Sequence, residues 1–358
     1  MLFGGRSAEH EVSCVSAASV LGAVDPSRYD VEPVGITLDG RWVRAEAAAA
    51  ALAEGVAALP RALAAEGPEV DPLPTLVDGT SGAGSGPVVV LPLLHGPFGE
   101  DGTVQGLLEL AGVPYVGAGV LGSSLCMDKA ATKDVLARHG LPQCRHVSVR
   151  DADLDAQLDG GLEGRVAAAL GWPVFVKPAN LGSSIGVTKV AGPGELSAAV
   201  EVALAFDEWL VIEEAVSGRE IECGVLGNQA LAASVPGEII PSATFYDYED
   251  KYSGHGAELV IPAVLPEGVA EEVGRLAMAA ASALRAEGMA RVDFFYEEQG
   301  RGLLVNEVNT IPGFTPWSMY PRLWAATGLP YDQLLDRLVA LALDRHTRRA
   351  SRIGRPRS

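Results

Sequence analysis

The chain is 358 residues long, 48% hydrophobic and 20% charged, which is enough for two or three domains with proper cores and too apolar for a disordered chain. A formal charge of −19 argues against nucleic acid as a partner, because phosphates need a basic surface. Apolar runs such as 88–94 are far too short to span a bilayer, and no signal peptide precedes Arg6, so the expectation is a cytoplasmic protein with no membrane partner.

From the start, residues 1–3 read as a strand running into the turn Gly4-Gly5, followed by a helix over 12–24 and a second strand over 31–36. The alanine-rich stretch 45–65 reads as helical, and 79–87 (GTSGAGSGP) as a flexible surface loop. The unbroken apolar run 88–93 reads as a buried parallel strand. This alternation predicts an α/β layer to residue 126. A helix over 129–139 ends at Gly140, and strands are expected at 172–178, 187–190 and 209–214, with a helix over 195–206. This central region, 127–216, gives way to a third, 217–344, with strands at 220–226 and 231–235, a helix over 266–287, a hairpin and a last helix over 331–343. The arginine-rich tail 345–358 reads as disordered.

Four scattered cysteines, none in a C-x-x-C pair, read as buried free thiols rather than a zinc site or a disulfide framework. Only five of the 27 basic residues are lysines: Lys129, Lys133, Lys177, Lys189 and Lys251. A lysine kept against such an arginine bias is a candidate for a place where a compact ammonium is wanted; plain surface placement is the alternative.

The hairpin 290–309 is the strongest chemical signal. Two strand-like segments, ARVDFFYE and LLVNEVN, flank a short turn at Gln299-Gly300. Pairing about that turn sets Asp293 opposite Glu307 and Arg291 opposite Asn309, all on one face. Val292, Phe294, Leu304 and Val308 then line the other. Two carboxylates and an amide suit a hard divalent cation; a solvated strand face with cross-strand ion pairs is an equally good reading of the spacing.

The loop 180–186 (NLGSSIG) follows Lys177 and offers backbone N–H groups to phosphate, although a hairpin turn has similar composition. No G-x-x-x-x-G-K-[ST] loop exists, which excludes a P-loop mechanism. The match GAGVLG at 117–122 is better read as a connector, since no well-formed βαβ unit surrounds it. The loop 95–102 (HGPFGEDG) ends the buried strand, where open α/β sheets bind ligands; Asp101 is also placed to cap the next helix. Glu9 stands at another strand end of the same layer, as a cleft residue or as a first-turn acid complementing its helix.

Together, GGRSAEHEVS (4–13), LHGPFGEDGTVQG (94–106), MDK (127–129), VKPANLGSSIGV (176–187), ATFYDYEDKY (243–252), ARVDFF (290–295) and NEVNTIPGFTPWSMYP (306–321) resemble the D-alanine–D-alanine ligase family, in the family's order over nearly the whole chain. The resemblance implies a three-domain ATP-grasp architecture, α/β at the N-terminus and α+β in the ATP-grasp part. It implies an enzyme that makes the D-alanyl-D-alanine used for peptidoglycan precursors through an acyl phosphate. Lys129, Lys177 and Lys251 would contact ATP phosphates. Ser183, Ser184 and Phe245 would complete the nucleotide site, with Glu213, Ala215, Val216 and Glu220 around adenine and ribose. Two Mg²⁺ ions, or Mn²⁺, would be held by Asp293, Glu307 and Asn309. Glu9 would bind the first D-alanine's ammonium and Ser318 the second one's carboxylate, with His95 and Met319 also on the substrates. Arg291 and the Gly313 N–H would stabilise the oxyanion, and Ser183 and Tyr252 would link to Glu9 and close a lid over 245–252. A homodimer is the usual assembly.

The chain starts almost inside the first strand, where the family has several more apolar residues, and the inserts over 45–86 are longer than in its shortest members. A D-alanyl-D-lactate ligase is the nearest alternative: Lys251-Tyr252 and Met319 favour D-alanine, while His255 stands nearby. A catalytically inactive ATP-binding sensor is the other, although none of the expected metal or phosphate residues is missing.

Overall fold

The computed structural model describes residues 1–79, 86–154, 161–241 and 257–352. The N-terminal layer pairs β1 (Leu2–Gly4) with β2 (Val34–Ile36) in parallel. Parallel bridges extend it from Leu2 to Pro92 and from Val90 to Tyr115. The expected open parallel arrangement is therefore present, with one antiparallel edge, β3 (Trp42–Arg44). The turn after β1 requires glycine. Gly4 lies at φ +87°, and a Cβ there would stand 2.3 Å from the Ile36 carbonyl oxygen. Helix α1 (His10–Leu21) buries Ser13, Cys14, Ala17 and Leu21, the 3–4 spacing of one helical face. Ser13 fixes it to the sheet by accepting from the Gly4 N–H at 2.7 Å and donating to the Leu93 carbonyl. Helix α2 (Glu46–Glu54) is shorter than expected because Gly55, at φ +118°, and Pro60 interrupt it. Helices α3 (Pro72–Gly79), α4 (Thr103–Ala111) and α5 (Val120–Met127) complete the layer. The expected loop over 79–87 lies largely outside the described residues.

Helix α6 (Lys129–Arg138) opens the central part, capped by Asp128, whose carboxylate accepts from the Ala131 N–H at 2.8 Å. Its antiparallel sheet has the order β4 (His146–Arg150), β7 (Trp209–Glu214), β5 (Val174–Pro178), β6 (Thr188–Val190). Helices α7 (Asp151–Leu154), α8 (Gly161–Ala169) and α9 (Leu196–Leu204) accompany it. Val149, Val166, Val176, Leu196 and Ile212 form its own core.

The third part is an antiparallel sheet built on β8 (Arg219–Gly227), with β9 (Leu231–Ala233) and β10 (Gly237–Pro241) beside it and β11 (Ala257–Val260) at one edge. On the other side of β8 lie β12 (Gly288–Glu297) and β13 (Gly302–Asn309). Helix α10 (Val269–Ala283) packs its buried face, Val273, Leu276 and Ala280, on this sheet. The hairpin has the expected register at the end away from its turn: Asp293 faces Glu307 and Arg291 faces Asn309. Beyond Asp293 the register shifts by one residue, so Phe294 faces Val305 rather than its neighbour. This bulge corrects the expected apolar face. Val305 joins Val292, Phe294 and Val308 in one core cluster, while Leu304, also buried, lies outside that cluster; an extra residue in one strand reverses the alternation after it.

Helices α11 (Met319–Ala326) and α12 (Tyr331–Ala350) end the described chain. The expectation of a disordered tail from 345 is overturned for residues 345–350, which continue α12. Buried Leu334, Leu338, Leu341 and Arg345 lie on one helical face, so the apolar stripe ends in an arginine instead of stopping before it. The Arg345 guanidinium donates to the carbonyls of Gly117 and Tyr115 (2.7 Å to the latter) and lies 4.3 Å over the Tyr115 ring. Arg348 and Arg349 pair with Glu287 and Glu109. No helix among the described residues is long and apolar enough to cross a membrane. Replacing Arg345 by alanine strands two buried carbonyls, so urea unfolding should report a loss of about 2–4 kcal/mol.

Candidate active site

Three glycine-containing loops converge on Glu9. It occupies the position before α1, and its carboxylate accepts a hydrogen bond from the Ser183 hydroxyl. A Cβ on Gly96 would stand 3.0 Å from Glu9 Oε2 and one on Gly182 3.3 Å from it, so the loops at 95–102 and 180–186 both close on this carboxylate. Ser183 and Ser184 have left-handed φ angles of 50° and 58°, an arrangement uncommon outside glycine. The expected Glu9–Ser183 link is therefore observed. A cavity of about 240 Å³ opens beside it, lined by Arg6, Glu9, Pro97, Leu181, Ile185 and Phe206.

Behind Glu9, His95 is buried, with Nδ1 3.1 Å from the Ile311 carbonyl and 3.6 Å from Glu100. Burial alone would favour its neutral form, but Glu100, Glu9 and that carbonyl outweigh it and push its pKa up. Asp101 accepts from the N–H of Thr103 at 2.9 Å, so its role at the start of α4 is structural.

On the central sheet, Lys177 reaches Glu213 at 2.6 Å across β5 and β7, and Lys133 from α6 reaches the same carboxylate's other oxygen at 2.9 Å. Both oxygens of Glu213 thus face ammonium groups, whereas the resemblance assigned this residue to adenine or ribose. Burial raises the Glu213 pKa, but the two lysines prevail and hold it well below the usual carboxylate range. Lys129 donates to the Leu181 carbonyl, tying α6 to the serine loop. Ala215, just past β7, donates its N–H to Pro173 at 3.0 Å, and Val216 follows it. Glu220 lies on β8 opposite Phe295. Phe245, Lys251, Tyr252 and His255 lie outside the described residues.

On the hairpin, Arg291 makes a two-toothed contact with Asp293, 2.7 Å to each oxygen, and stands 3.0 Å from Glu222 on β8. Burial weakens the arginine's hold on its proton, yet Asp293 and Glu222 more than restore it. Asn309 donates to Asp293 at 3.0 Å. Asp293, Glu307 and Asn309 therefore share one small region of sheet with only oxygen donors to offer a cation, the chemistry that Mg²⁺ or Mn²⁺ takes. Gly313 abuts Ser318, whose hydroxyl meets the Thr315 N–H at 3.1 Å and its hydroxyl at 2.7 Å. Met319, expected on the substrates, is buried against Ile239 and Leu323. Arg301, in the hairpin turn, pairs with Glu214 at the end of β7 and ties the two sheets together.

Sequence reasoning flagged Lys133 among the five lysines but gave it no role, and it missed Glu222. For Lys133 there was a signal, a lysine surviving in an arginine-rich chain four positions after Lys129. Glu222 became visible only through β8–β12 pairing, which sets it opposite Asp293.

The depressed pKa of Glu213 has a thermodynamic consequence. Its ion pairs contribute stability that is fully present above the ordinary carboxylate range and is lost as pH falls towards the lower folded-state value. Glu213→Gln should therefore flatten the acid side of the stability profile, measured by urea unfolding from roughly pH 5 downwards.

The D-ala D-ala ligase N-terminus model matches residues 1–118, and the D-ala D-ala ligase C-terminus model matches 135–340. A D-alanine–D-alanine ligase from Halothermothrix orenii is 47% identical over 348 residues, 96% of this chain and 97% of the relative. One from Kineococcus radiotolerans is 49% identical over 368 aligned positions, 97% and 96% of the two chains. Among solved structures, the D-alanine–D-alanine ligase from Coxiella burnetii superposes with a TM-score of 0.78 at 36% identity, covering 98% of this chain and 95% of that one. The VanG D-Ala:D-Ser ligase from Enterococcus faecalis gives 0.80 at 34%, with 95% and 98% covered. With both halves matched and the likeness extending end to end, the chain belongs to the D-alanine–D-alanine ligase family and has its ATP-grasp fold.

Proposed function

We propose that this chain joins two D-alanine molecules into D-alanyl-D-alanine at the expense of ATP, supplying a peptidoglycan precursor. The observation that carries the reading is the meeting of Asp293, Glu307 and Asn309 on one patch of β12–β13, with Arg291 beside them. A carboxylate attacking a triphosphate brings negative charge against negative charge, so the barrier falls only where cationic groups are already in place. Two Mg²⁺ ions, or Mn²⁺, held by Asp293, Glu307 and Asn309 would offset phosphate charge in that patch.

The chain's own groups divide the remaining work. Glu9, fixed by Ser183, binds the first D-alanine's ammonium and aims its carboxylate at the γ-phosphate. Lys129 from helix α6 and Lys177 from the central sheet face the phosphates, joined by Lys251, and Ser184, Ala215, Val216, Glu220 and Phe245 complete the nucleotide site. The carboxylate oxygen bonds to phosphorus as the bond to ADP breaks. The amine of the second D-alanine, oriented through its carboxylate by Ser318, then attacks the acyl carbon. Arg291, held in place by Glu222 and Asp293, and the Gly313 N–H stabilise the oxyanion until phosphate departs. By the family's pattern, Tyr252 would help to keep water from the acyl phosphate. We extend the reading to a homodimer working in the cytoplasm, where ATP is supplied. The four buried, unpaired thiols agree with a reducing compartment.

Incubation with ATP, Mg²⁺ and D-alanine should release ADP and phosphate in step with dipeptide. A panel including D-serine and D-lactate should leave D-alanine the preferred second substrate. Phosphate release without dipeptide, or a depsipeptide as main product, would refute the assignment. Glu307→Gln should lower kcat by about 100-fold or more, the scale of losing one preorganised charge-stabilising group. Glu9→Gln should instead act mainly through KM for D-alanine, with KM for ATP nearly unchanged, as steady-state kinetics can separate.

A further inference from the structure

Lys133 projects from α6 into the interior, its side chain 1% exposed, and ends 2.9 Å from one oxygen of Glu213 and 3.3 Å from the Cys144 sulfur. Lys177 takes the other oxygen of the same carboxylate at 2.6 Å, but its side chain is 15% exposed. Two ammonium groups share one carboxylate, so the trio carries a surplus of one positive charge. Cys144 does not cancel it, because burial and Glu213 raise its pKa and keep it a neutral thiol. The surplus has only one outlet, since Lys133 is sealed in and Lys177 alone reaches the surface of the site.

Without Lys133 the count changes. Glu213 and Lys177 would then neutralise each other, and the lysine would present a compensated pair to an incoming anion. An arginine would not serve equally: a single compact ammonium fits between a carboxylate oxygen and a thiol, whereas a guanidinium fork spreads its donors over a plane.

We propose that Lys133 is a positioning residue for nucleotide binding: it neutralises Glu213 from the protein side so that Lys177 can present its charge to the phosphates. This inference rests on the reading of Lys177 as a phosphate ligand. It adds a residue with no contact to the nucleotide, acting through the carboxylate it shares. A purely structural Lys133 would fill the same space and pair with the same buried acid, but would not discriminate between charged and uncharged ligands.

That difference supplies the test. Dissociation constants for ADP with Mg²⁺ and for adenosine are measured by calorimetry, directly or by competition, on the full chain and on Lys133→Met, Glu213→Gln and the double variant. Their ratio isolates the phosphate-dependent part of binding, because any change at the adenine end affects both ligands. The trio carries one positive charge in the parent, none in Lys133→Met, two in Glu213→Gln and one again in the double variant. The preference for ADP over adenosine should fall about ten-fold in Lys133→Met, the scale of one unit charge at partly screened range. It should rise in Glu213→Gln and return to the parent value in the double variant. Equal ratios in all four, with both ligands weakened together, would overturn the proposal. If Lys133→Met does not fold, Glu213→Gln against the double variant decides the same question, and an unchanged ratio between those two overturns it. A parent chain that binds neither ligand would instead overturn the functional reading.

Discussion

A carboxylate buried between two ammonium groups sets the electrostatic terms for the rest of this structure. Glu213 loses hydration on burial, a penalty of several kcal/mol for an isolated ion, and stays charged because Lys133 and Lys177 each face one of its oxygens. The arrangement fastens helix α6 to the middle of the central sheet. Lys129, at the start of the same helix, holds the serine loop through the Leu181 carbonyl. From that loop Ser183 reaches Glu9 in the N-terminal layer. One helix thus links the ammonium groups of the site with the carboxylate at its opposite wall.

The hairpin solves a related problem with opposite signs. There Arg291 is the buried cation, and Asp293 and Glu222 are the acids that keep it charged. In a chain of net charge −19, the local balance of charge at these two clusters matters more than the total, since screening confines exposed charges to roughly 8–10 Å while buried groups interact at lower dielectric.

Features of this design that depend on short-range periodicity are legible in the amino-acid sequence. Asp293 and Glu307 can be paired from the turn between them, because two-residue periodicity and a nearby turn determine which residues meet. The same arithmetic fails one residue later at the bulge, where Phe294 meets Val305; nothing in the composition of VNEVN marks an inserted residue. Glu9, the serine loop and the hairpin each stand out as separate motifs, but their convergence depends on packing between domains. Met319 shows the limit of transferring a role with a motif, for its side chain belongs to the core around Leu323. The arginine-rich end misleads because charge density suggests solvent, whereas Arg345 is an interior residue whose donors match two backbone carbonyls.

That last helix has a bearing on how the protein is made. Phe3, Leu21 and Leu93 from the N-terminal layer share one cluster with Tyr320, Trp324 and Leu338, and Arg345 clasps the same layer at Gly117 and Tyr115. During synthesis, which proceeds at about 5–20 residues per second, the opening layer emerges long before the segment that completes its interior. Its apolar face must wait, partly uncovered, until the closing helix leaves the ribosome. The central sheet, with a core drawn entirely from its own segment, is under no such delay.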